Sequence, residues 1–276
     1  MSKRSEATPV GLLPALQTHQ WFASCPSEFQ QALVNLSRLV HLSPGESLFA
    51  RGDNAEALCC VVAGALLLGS VSPGDGRHRL MLYAEPYHWF GEIALLDELP
   101  RSQDAVADTA STVLVVPRPR LEAWLAQHPR YWRDLARLAC GKLRLVLSAM
   151  EDQVTLTVEE QLARRLLLAA TNFAQLAPEQ ARRRVRMPQD YLARMLGVSR
   201  QTVNKALRAL ERERVLVLHY AEIEIVDVEA LMARSGGIDA TQLPQERLRR
   251  MTVPDLRPAP PVGDAFDVNQ TAFKDA

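Results

Sequence analysis

Short apolar runs broken by turn residues characterise the chain from His41 to Val116. Strands of about four to eight residues at such spacing are typical of an antiparallel sandwich or barrel. Leu66–Val71 and Arg79–Tyr83 flank the turn Ser72–Gly76 and predict a β-hairpin. The breaks between the other runs fall at Pro44-Gly45, Gly52-Asp53, Gly64 and Pro86.

Apolar residues at helical spacing flank this strand-rich region. Leu33, Leu36 and Val40 lie three and four positions apart, which predicts a helix reaching the first strand. After the strands, a helical segment is expected over Leu121–Gln127. The pattern therefore predicts helices packed around a β-domain.

A longer helix is predicted after Pro129, because proline is tolerated in the first helical turn. No proline interrupts the stretch Tyr131–Ala177. One narrow stripe recurs there at steps of three, four and seven residues, the spacing of a coiled-coil seam over about three heptads. It predicts a dimer interface or, alternatively, a helix lying on its own β-domain. The stripe consists of Trp132, Ala139, Leu143, Val146, Met150 and Gln153.

Two short helices joined by a tight turn are predicted within Arg182–Leu231. The first spans Tyr191–Leu196, and Gly197 ends it because glycine adopts positive φ at little cost. Ser199 is a natural N-cap for the second helix, Arg200–Arg212. This arrangement is a helix-turn-helix, whose second helix enters the major groove of DNA.

Polar side chains on the first turns of the second helix are candidates for reading DNA bases. Arginine forks to guanine O6 and N7, and glutamine pairs with adenine, whereas Thr202 is expected to touch a phosphate or to pack. Val215–Leu218 and Glu222–Val226 alternate around a turn and predict a β-hairpin wing. The predicted DNA-contacting residues are Ser199, Arg200, Gln201, Thr202, Asn204 and Lys205.

This module lies in a basic segment of a neutral chain. The 276 residues carry 32 basic and 32 acidic side chains. Between Gln161 and Arg214, twelve basic and four acidic side chains give a net charge of +8, so the rest of the chain carries −8. A local positive excess favours a polyanionic partner, because neutralising phosphates releases counterions. The length and the 47% hydrophobic content predict two folded domains.

The cysteines and apolar stretches disfavour several other classes of protein. Cys25, Cys59, Cys60 and Cys140 form no C-x-x-C pair, so isolated buried thiols are expected rather than a metal or iron–sulfur site. The adjacent residues Cys59 and Cys60 are expected to point to opposite faces of a strand. The longest apolar stretch, Leu58–Leu68, is shorter than the ~20 residues of a membrane span. Without a secretory signal, a cytoplasmic protein with no membrane partner is expected.

The segment Trp89–Ser102 suggests an anion site. Gly91 leaves backbone N–H groups accessible, and a helical turn at Ile93–Leu96 can aim its amides at a phosphate. Glu92 can accept a hydrogen bond from a ribose hydroxyl, and Arg101 can pair with the phosphate charge. The alternative is a plain ion pair between Arg101 and Glu92 within a loop.

The chain resembles the Crp/Fnr family of bacterial transcription regulators over roughly Trp21–Leu231. The resemblance rests on a β-domain with F-G-E-x-A-L-L-x-x-x-P-R, a long helix, and a winged helix-turn-helix with G-V-S-R-Q-T-V-N. The first string resembles the phosphate-binding cassette of cyclic-nucleotide-binding domains, with the Glu92-to-Arg101 spacing of the kinase regulatory-subunit version. The resemblance implies a jelly-roll effector domain, a homodimer on palindromic double-stranded DNA, and contact with RNA polymerase.

The resemblance also implies a small nucleotide effector, cyclic AMP or cyclic di-GMP. In the cyclic AMP receptor of the family, a Thr-Ser pair on the long helix holds the adenine. Val146 and Leu147 stand at that point in this chain, and neither can donate to adenine, which disfavours cyclic AMP bound in that manner. The predicted ligand-binding residues are Gly91, Glu92, Ile93, Ala94, Arg101, Ser102 and, one residue beyond the pair, Ser148.

We therefore expect an α+β chain of five segments. These are an N-terminal extension (1–20), a β jelly-roll effector domain (21–127), a long dimerisation helix (128–158), a winged helix-turn-helix (159–235) and a proline-rich disordered tail (236–276).

The expected function is that of a homodimeric, sequence-specific transcription regulator controlled by a ligand in the β-domain. The alternatives are a ligand-independent regulator of the same family and a nucleotide-binding signalling module that does not act on DNA. An enzyme is not expected, because no Ser/His/Asp or Cys/His pairing is evident. A haem ligand is disfavoured because His78 and His88 are interpreted as surface residues.

Overall fold

Four short helical segments begin the computed structural model, which describes residues 9–54, 56–71, 78–171, 183–220 and 222–237. They are a 3₁₀ turn at Pro9–Leu12, α1 (Leu13–Leu16), α2 (Gln20–Ser24) and α3 (Ser27–Leu36). Their aromatic side chains stack on the sheet, with the rings of Phe22 and Trp89 5.3 Å apart. The helical spacing that continues to Val40 forms no helix there, because α3 ends at Leu36, Ser37 is extended and Val40 pairs with Val113 in a strand.

Two antiparallel four-stranded sheets form the β-domain and confirm the predicted sandwich. Their orders are β1-β8-β3-β6 and β2-β7-β4-β5. The predicted hairpin is present as the pair β4 and β5. The strands and their one inserted helix are β1 (Arg38–Leu42), β2 (Ser47–Phe49), β3 (Ala57–Ala63), β4 (Leu66–Val71), β5 (His78–Ala84), β6 (Trp89–Phe90), α4 (Ile93–Leu96), β7 (Asp104–Ala107) and β8 (Ser111–Pro117).

The cysteines of β3 show how its two faces are used. Cys59 packs in the apolar core between the sheets, and Cys60 packs on the opposite side against the helices, as predicted. Burial raises the pKa of Cys59 and of Cys25 to about 12, so both stay protonated thiols at neutral pH. Cys140 departs from the expectation of burial, because it is exposed on a helix.

The long helix is shorter than its sequence suggests. It follows α5 (Arg118–Gln127) and a 3₁₀ turn (Pro129–Tyr131) and runs as α6 (Trp132–Thr155). Leu156 is extended, and Thr157 caps the next helix, α7 (Val158–Ala170), through a capping box with Glu160. Within the predicted long helix, 128–158, the α-helix itself covers Trp132–Thr155, and residues 172–177 of the proline-free stretch lie outside the described residues.

The C-terminal module is a winged helix-turn-helix, as predicted. A three-stranded antiparallel sheet of order β10-β11-β9 lies beside its helices. The elements are β9 (Arg184–Val185), α8 (Gln189–Leu196), α9 (Arg200–Arg212), β10 (Leu216–His219), β11 (Glu222–Ile225) and α10 (Val228–Ala233). The predicted tail lies outside the described residues from 238 onward, as do residues 1–8 of the predicted extension. None of the described helices is long and apolar enough to cross a membrane.

The C-terminal module packs directly on the β-domain. Leu80 and Tyr83 of β5 belong to the same apolar cluster as the buried residues of α7, α8 and α9. Asp108 accepts hydrogen bonds from the hydroxyls of Tyr83, at 2.9 Å, and of Tyr191 on α8. The two tyrosine rings lie 5.6 Å apart. We call this contact the Tyr83–Asp108–Tyr191 contact.

His88 is buried, contrary to the expectation of a surface residue. Its side chain is 1% exposed, and neither ring nitrogen has a hydrogen-bond partner among the described residues. Burial, together with the positive charge of Lys142 and the neighbouring His19, holds the pKa of His88 well below 6.5. His88 is therefore a neutral imidazole in the folded protein at physiological pH.

We predict that His88 makes the protein less stable as the pH falls below about 6.5. The unfolded chain takes up a proton there and the folded chain does not, so each pH unit costs at most about 1.36 kcal/mol from this residue. Chemical denaturation of the wild type and of His88→Leu at pH 7.5 and pH 5.0 measures the effect, and the variant should lose less stability. The exposed His41→Gln is the matched control and should retain the wild-type slope. Equal slopes in all three proteins would contradict the assignment.

Candidate effector cavity and nucleic-acid interface

A cavity of about 700 Å³ lies between the β-domain, α6 and the C-terminal module. Strands β2, β4, β5 and β6 line one side of it, and α4 and α6 line another. The structure brings six of the seven predicted ligand-binding residues into its wall. These are Gly91, Glu92, Ile93, Ala94, Arg101 and Ser102.

Arg101 is a buried cation in this wall. Its side chain is held by two backbone carbonyls, with Nη1 donating to Gly91 O at 3.1 Å and Nη2 donating to Ala57 O at 2.5 Å. The Phe49 ring lies 4.3 Å from the guanidinium carbon and covers its flat face. Its Nε is buried and has no acceptor among the described residues. A cation whose partners are neutral groups, with one donor unused, is suited to bind an anion.

Burial is the main influence on the charge of Arg101 and lowers the pKa of its guanidinium, while the nearby Cys59, Glu92, Glu56 and Asp53 raise it. Arginine starts from such a high pKa that it stays charged at physiological pH. The backbone on both sides of the side chain is fixed as well, with Arg101 N donating to Asp53 O and Gly52 N donating to Arg101 O, each at 2.8 Å. The cation is thus presented by a rigid loop.

Gly91 is required by the close approach of Arg101. Its φ is +92°, in the region that favours glycine. A Cβ at this position would lie 2.5 Å from Arg101 Nη1 and 2.9 Å from the carbonyl oxygen of Ala57. Any other residue would therefore displace the guanidinium that the sequence analysis assigned to the phosphate.

Glu92 pairs with the long helix and not with Arg101. Its carboxylate is buried and accepts from Lys142 Nζ of α6 at 2.9 Å. The alternative of a Glu92–Arg101 ion pair is therefore not what the structure shows. The Glu92–Lys142 pair ties the loop before α4 to α6, and a ribose hydroxyl reaching Glu92 would share this carboxylate with Lys142.

The wall that α6 contributes differs from the prediction at Ser148. Ser148 is buried outside the cavity wall, on the same helix face as Asp152, which pairs with Arg164 of α7. Two residues along a helix correspond to a rotation of about 200°, which explains why Val146 faces the cavity and Ser148 does not. The α6 residues in the wall are Lys142, Leu145, Val146, Ala149, Met150 and Gln153.

The predicted seam of α6 is only partly an exposed face. Trp132 is half-buried and packs against the core of the β-domain, as the alternative of a helix lying on its own β-domain expects, and its place in a dimer seam stays a prediction. Ala139 is half-buried, and Gln153 is exposed at the cavity rim. The exposed apolar residues of α6 are Leu143, Val146, Leu147, Met150 and Val154.

The helix-turn-helix presents the N-terminal turns of α9 to solvent. Gly197 ends α8 with φ +66°, and Ser199 caps α9 by accepting from the Thr202 N–H at 3.1 Å. Arg200, Gln201 and Lys205 are exposed on this surface. The opposite face of α9, with Val203, Leu207 and Leu210, is buried.

Three predicted DNA-contacting side chains, Ser199, Thr202 and Asn204, already have partners within the module. Asn204 is half-buried and donates to the side chain of Gln189 at 2.8 Å. Thr202 Oγ1 lies 2.8 Å from Ser199 Oγ, so these hydroxyls support the helix start. Asn204 is thus better suited to holding α8 against α9 than to reading a base on its own.

Several polar residues of the cavity wall were not among the predicted ligand-binding residues, and they include Lys142, His88 and Arg165. Lys142 carried a readable signal, because it lies one position from the predicted seam. Arg165 carried no such signal, because it is one of twelve basic residues in the segment Gln161–Arg214. Its place in the cavity depends on how the C-terminal module packs on the β-domain.

Two family models match this chain in the regions of the two sites. A cyclic nucleotide-binding domain matches residues 39–128. A Crp-like helix-turn-helix domain matches residues 160–234. The first contains the loop of Gly91 and Arg101, and the second contains α7, α8, α9 and the wing.

Characterised relatives share this arrangement. The HTH-type transcriptional regulator Cmr of Mycobacterium tuberculosis is 30% identical over 210 residues, which are 74% of this chain and 79% of the relative. The CRP-like cAMP-activated global transcriptional regulator of the same species is 28% identical over 204 residues, or 74% of this chain and 91% of the relative. FixK2 from Bradyrhizobium japonicum has the same fold, with a TM-score of 0.64 at 22% identity over 74% of this chain and 99% of that one.

These relatives are DNA-binding transcription regulators and not enzymes. The cyclic nucleotide-binding domain, the long helix and the Crp-like helix-turn-helix occur in this chain in the same order. The chain therefore belongs to the Crp/Fnr family of transcription regulators.

Proposed function

We propose that this chain is a homodimeric, sequence-specific transcription regulator whose affinity for DNA is controlled by a cyclic nucleotide or cyclic dinucleotide in the cavity. The observation that carries the proposal is the buried Arg101, held by carbonyl oxygens and an aromatic ring with one donor unused among the described residues. The ring phosphate of the effector binds this guanidinium. Glu92 accepts from the ribose, and Ser102 at the rim adds a hydroxyl.

Cyclic AMP and cyclic di-GMP are the two effectors to distinguish. The name of the CRP-like regulator of M. tuberculosis says that it is activated by cyclic AMP. Against cyclic AMP stands the apolar side chain of Val146, which faces the cavity where the family's receptor carries a donor for adenine. The cavity volume of about 700 Å³ leaves room for a ligand larger than a mononucleotide.

Dimerisation through α6 is supported by its row of exposed apolar side chains. Leu143 is 55% exposed, Leu147 is 53% exposed and Val154 is 87% exposed. Side chains of this kind at coiled-coil spacing are covered when a second copy packs alongside. Val146 and Met150 belong both to this row and to the cavity wall, so the effector binds next to the interface.

Reading of DNA is assigned to the first turns of α9. Arg200, Gln201 and Lys205 contact base edges in the major groove, and Ser199 and Thr202 lie near the phosphates. In a dimer, the two copies of α9 read half-sites of a palindrome about 34 Å apart. Effector binding changes the arrangement of the two α6 helices and hence this spacing, and RNA polymerase is recruited by the bound dimer.

Charge at the α6 seam should separate the subunits. We predict that Leu147→Glu converts the dimer into a monomer, because two desolvated carboxylates cannot be accommodated where apolar side chains meet. Analytical ultracentrifugation measures the mass. Arg137→Gln, on an exposed position of the same helix away from the row, is the control and should remain dimeric. A dimeric Leu147→Glu variant would rule out this face as the interface.

Removal of the buried cation should abolish the response to effector. We predict that Arg101→Gln binds the nucleotide at least about 100-fold more weakly, since a charge-assisted contact to phosphate is lost. Titration calorimetry with cyclic AMP and cyclic di-GMP checks this. Arg118→Gln, whose partner Glu122 lies outside the cavity, should bind as the wild type does. Unchanged binding by Arg101→Gln would mean that the phosphate binds elsewhere.

Selective binding to DNA should depend on the start of α9. We predict that Arg200→Ala loses about 5- to 150-fold in affinity for the preferred site and retains a salt-sensitive nonspecific component. The preferred site is obtained by selection from a randomised duplex pool, and affinities are measured by fluorescence anisotropy. Arg212→Ala, at the other end of the same helix, should preserve the sequence preference. An Arg200→Ala variant with wild-type preference would show that Arg200 reads no base.

A further inference from the structure

The cavity extends beyond the β-domain into the C-terminal module. Arg165 of α7 and Met195 of α8 complete its wall. Both residues lie within the part of the chain that matches the Crp-like helix-turn-helix domain. A ligand that fills the cavity therefore touches the DNA-binding module directly.

Arg165 is available to a ligand, in contrast with its neighbour. Arg164 binds Asp152 and donates to the carbonyl oxygen of Ser235 at 3.0 and 3.2 Å, so its guanidinium holds the fold together. No carboxylate of the described residues lies within ion-pair distance of Arg165. Burial lowers the pKa of Arg165, and Asp152 opposes this only through its more distant charge. Arg165 is thus a partly desolvated cation at the edge of a cavity.

The charged residues of the wall are mainly basic, and two of them, Arg101 and Arg165, are cations that can each bind an anionic group. The basic residues are Arg51, Arg101, Lys142 and Arg165, and the acidic residue is Glu92, which Lys142 neutralises. Arg51 is exposed. Arg101 belongs to the β-domain and Arg165 to the C-terminal module, so a ligand with one anionic group satisfies only one of the two guanidiniums.

The chemistry of a guanidinium restricts what Arg165 recognises. Its parallel N–H groups bind a pair of acceptors, as two phosphate oxygens or guanine N7 and O6 provide. Adenine presents a donor beside its N7 and cannot satisfy both N–H groups. The side chains of Leu145, Ala149 and Met195 form apolar wall in the same cavity and suit the faces of a base.

We propose that Arg165 is an effector-binding residue of the DNA-binding module, and that it selects an effector with a second two-acceptor group beyond the phosphate bound by Arg101. This group is a guanine edge or a second phosphate, and the inference rests on the proposed function. Arg165 lies on α7, whose buried face packs in the same core as α8 and α9. The extended residue Leu156 separates α7 from α6. A ligand that binds Arg165 can therefore reposition α7 together with the recognition helix α9.

The test titrates the full chain with cyclic AMP, cyclic GMP, cyclic di-AMP and cyclic di-GMP by calorimetry. Arg165→Gln should weaken binding of the preferred nucleotide by about 10- to 100-fold and leave weak binding of cyclic AMP nearly unchanged. Arg165→Lys keeps the charge and loses the fork, so it should recover part of the affinity. Arg234→Gln removes a basic side chain of the same module that pairs with Glu213 outside the cavity and should bind as the wild type does.

The four nucleotides distinguish the two sources of the second group. Tight binding of cyclic GMP and cyclic di-GMP supports a guanine edge, and tight binding of both cyclic dinucleotides without cyclic GMP supports a second phosphate. In either case the coupling between effector and DNA, measured as the ratio of nucleotide affinities with and without the selected duplex, should fall towards 1 in Arg165→Gln. A structural role for Arg165 would lower the affinity for all nucleotides equally and leave their rank unchanged.

Three results would overturn the inference. Preference for cyclic AMP together with unchanged binding by Arg165→Gln would remove Arg165 from the site and leave the proposed function intact. Equal weakening of all four nucleotides, with partial unfolding by circular dichroism that Arg165→Lys restores, would make Arg165 a structural residue. No binding of any nucleotide by the wild type would overturn both this inference and the effector part of the proposed function.

Discussion

A buried guanidinium without a carboxylate partner among the described residues governs the effector domain. Arg101 is 5% exposed, and carbonyl oxygens of Ala57 and Gly91 hold it in place of charged groups. Such a cation is costly to desolvate, and the neutral dipoles around it offset only part of that cost. The strand β3, the positive φ of Gly91 and the Phe49 ring all serve to fix it. The rest of the cavity is arranged around a charge that remains available to an anion.

The connection from this charge to the DNA surface passes through short and specific contacts. Glu92 connects the loop before α4 to Lys142 on α6, and the extended residue Leu156 separates α6 from α7. On the far side of the break, α7, α8 and α9 share one apolar core. A helix that continued through Leu156 would transmit rotation along its axis, whereas an extended residue allows the two halves to be repositioned separately.

Local signals made the helix-turn-helix and the β-sandwich predictable. The signals for the helix-turn-helix lie within a few residues of one another and can be read from the sequence alone. They are the glycine that ends α8, the serine that caps α9, and the buried face of α9: Gly197, Ser199, Val203, Leu207 and Leu210. The end of α6 before Leu156 lies close to the predicted boundary at 158/159, and Thr157 and Glu160 form a capping box that is readable in the sequence.

Long-range packing accounts for the other differences. Trp132 lies at seam spacing, yet it packs on the β-domain because α6 begins there. Ser148 stands next to the expected position and is buried outside the cavity wall, since the rotation of α6 about its axis is set by tertiary contacts. His88 and Arg165 have no local pattern that distinguishes a cavity wall from a surface, so only the assembled fold reveals them.

The Tyr83–Asp108–Tyr191 contact has a consequence for how such regulators diversify. DNA-binding modules are commonly regarded as interchangeable heads that recombination joins to new sensors at the linker. Here a transplanted module would have to bring a phenol to Asp108 and an apolar surface to Leu80, in addition to a compatible sequence at Leu156. Chimaeras joined at the linker would therefore have a mismatched contact between the β-domain and the C-terminal module. Functional exchange requires that β5 and α8 be exchanged together.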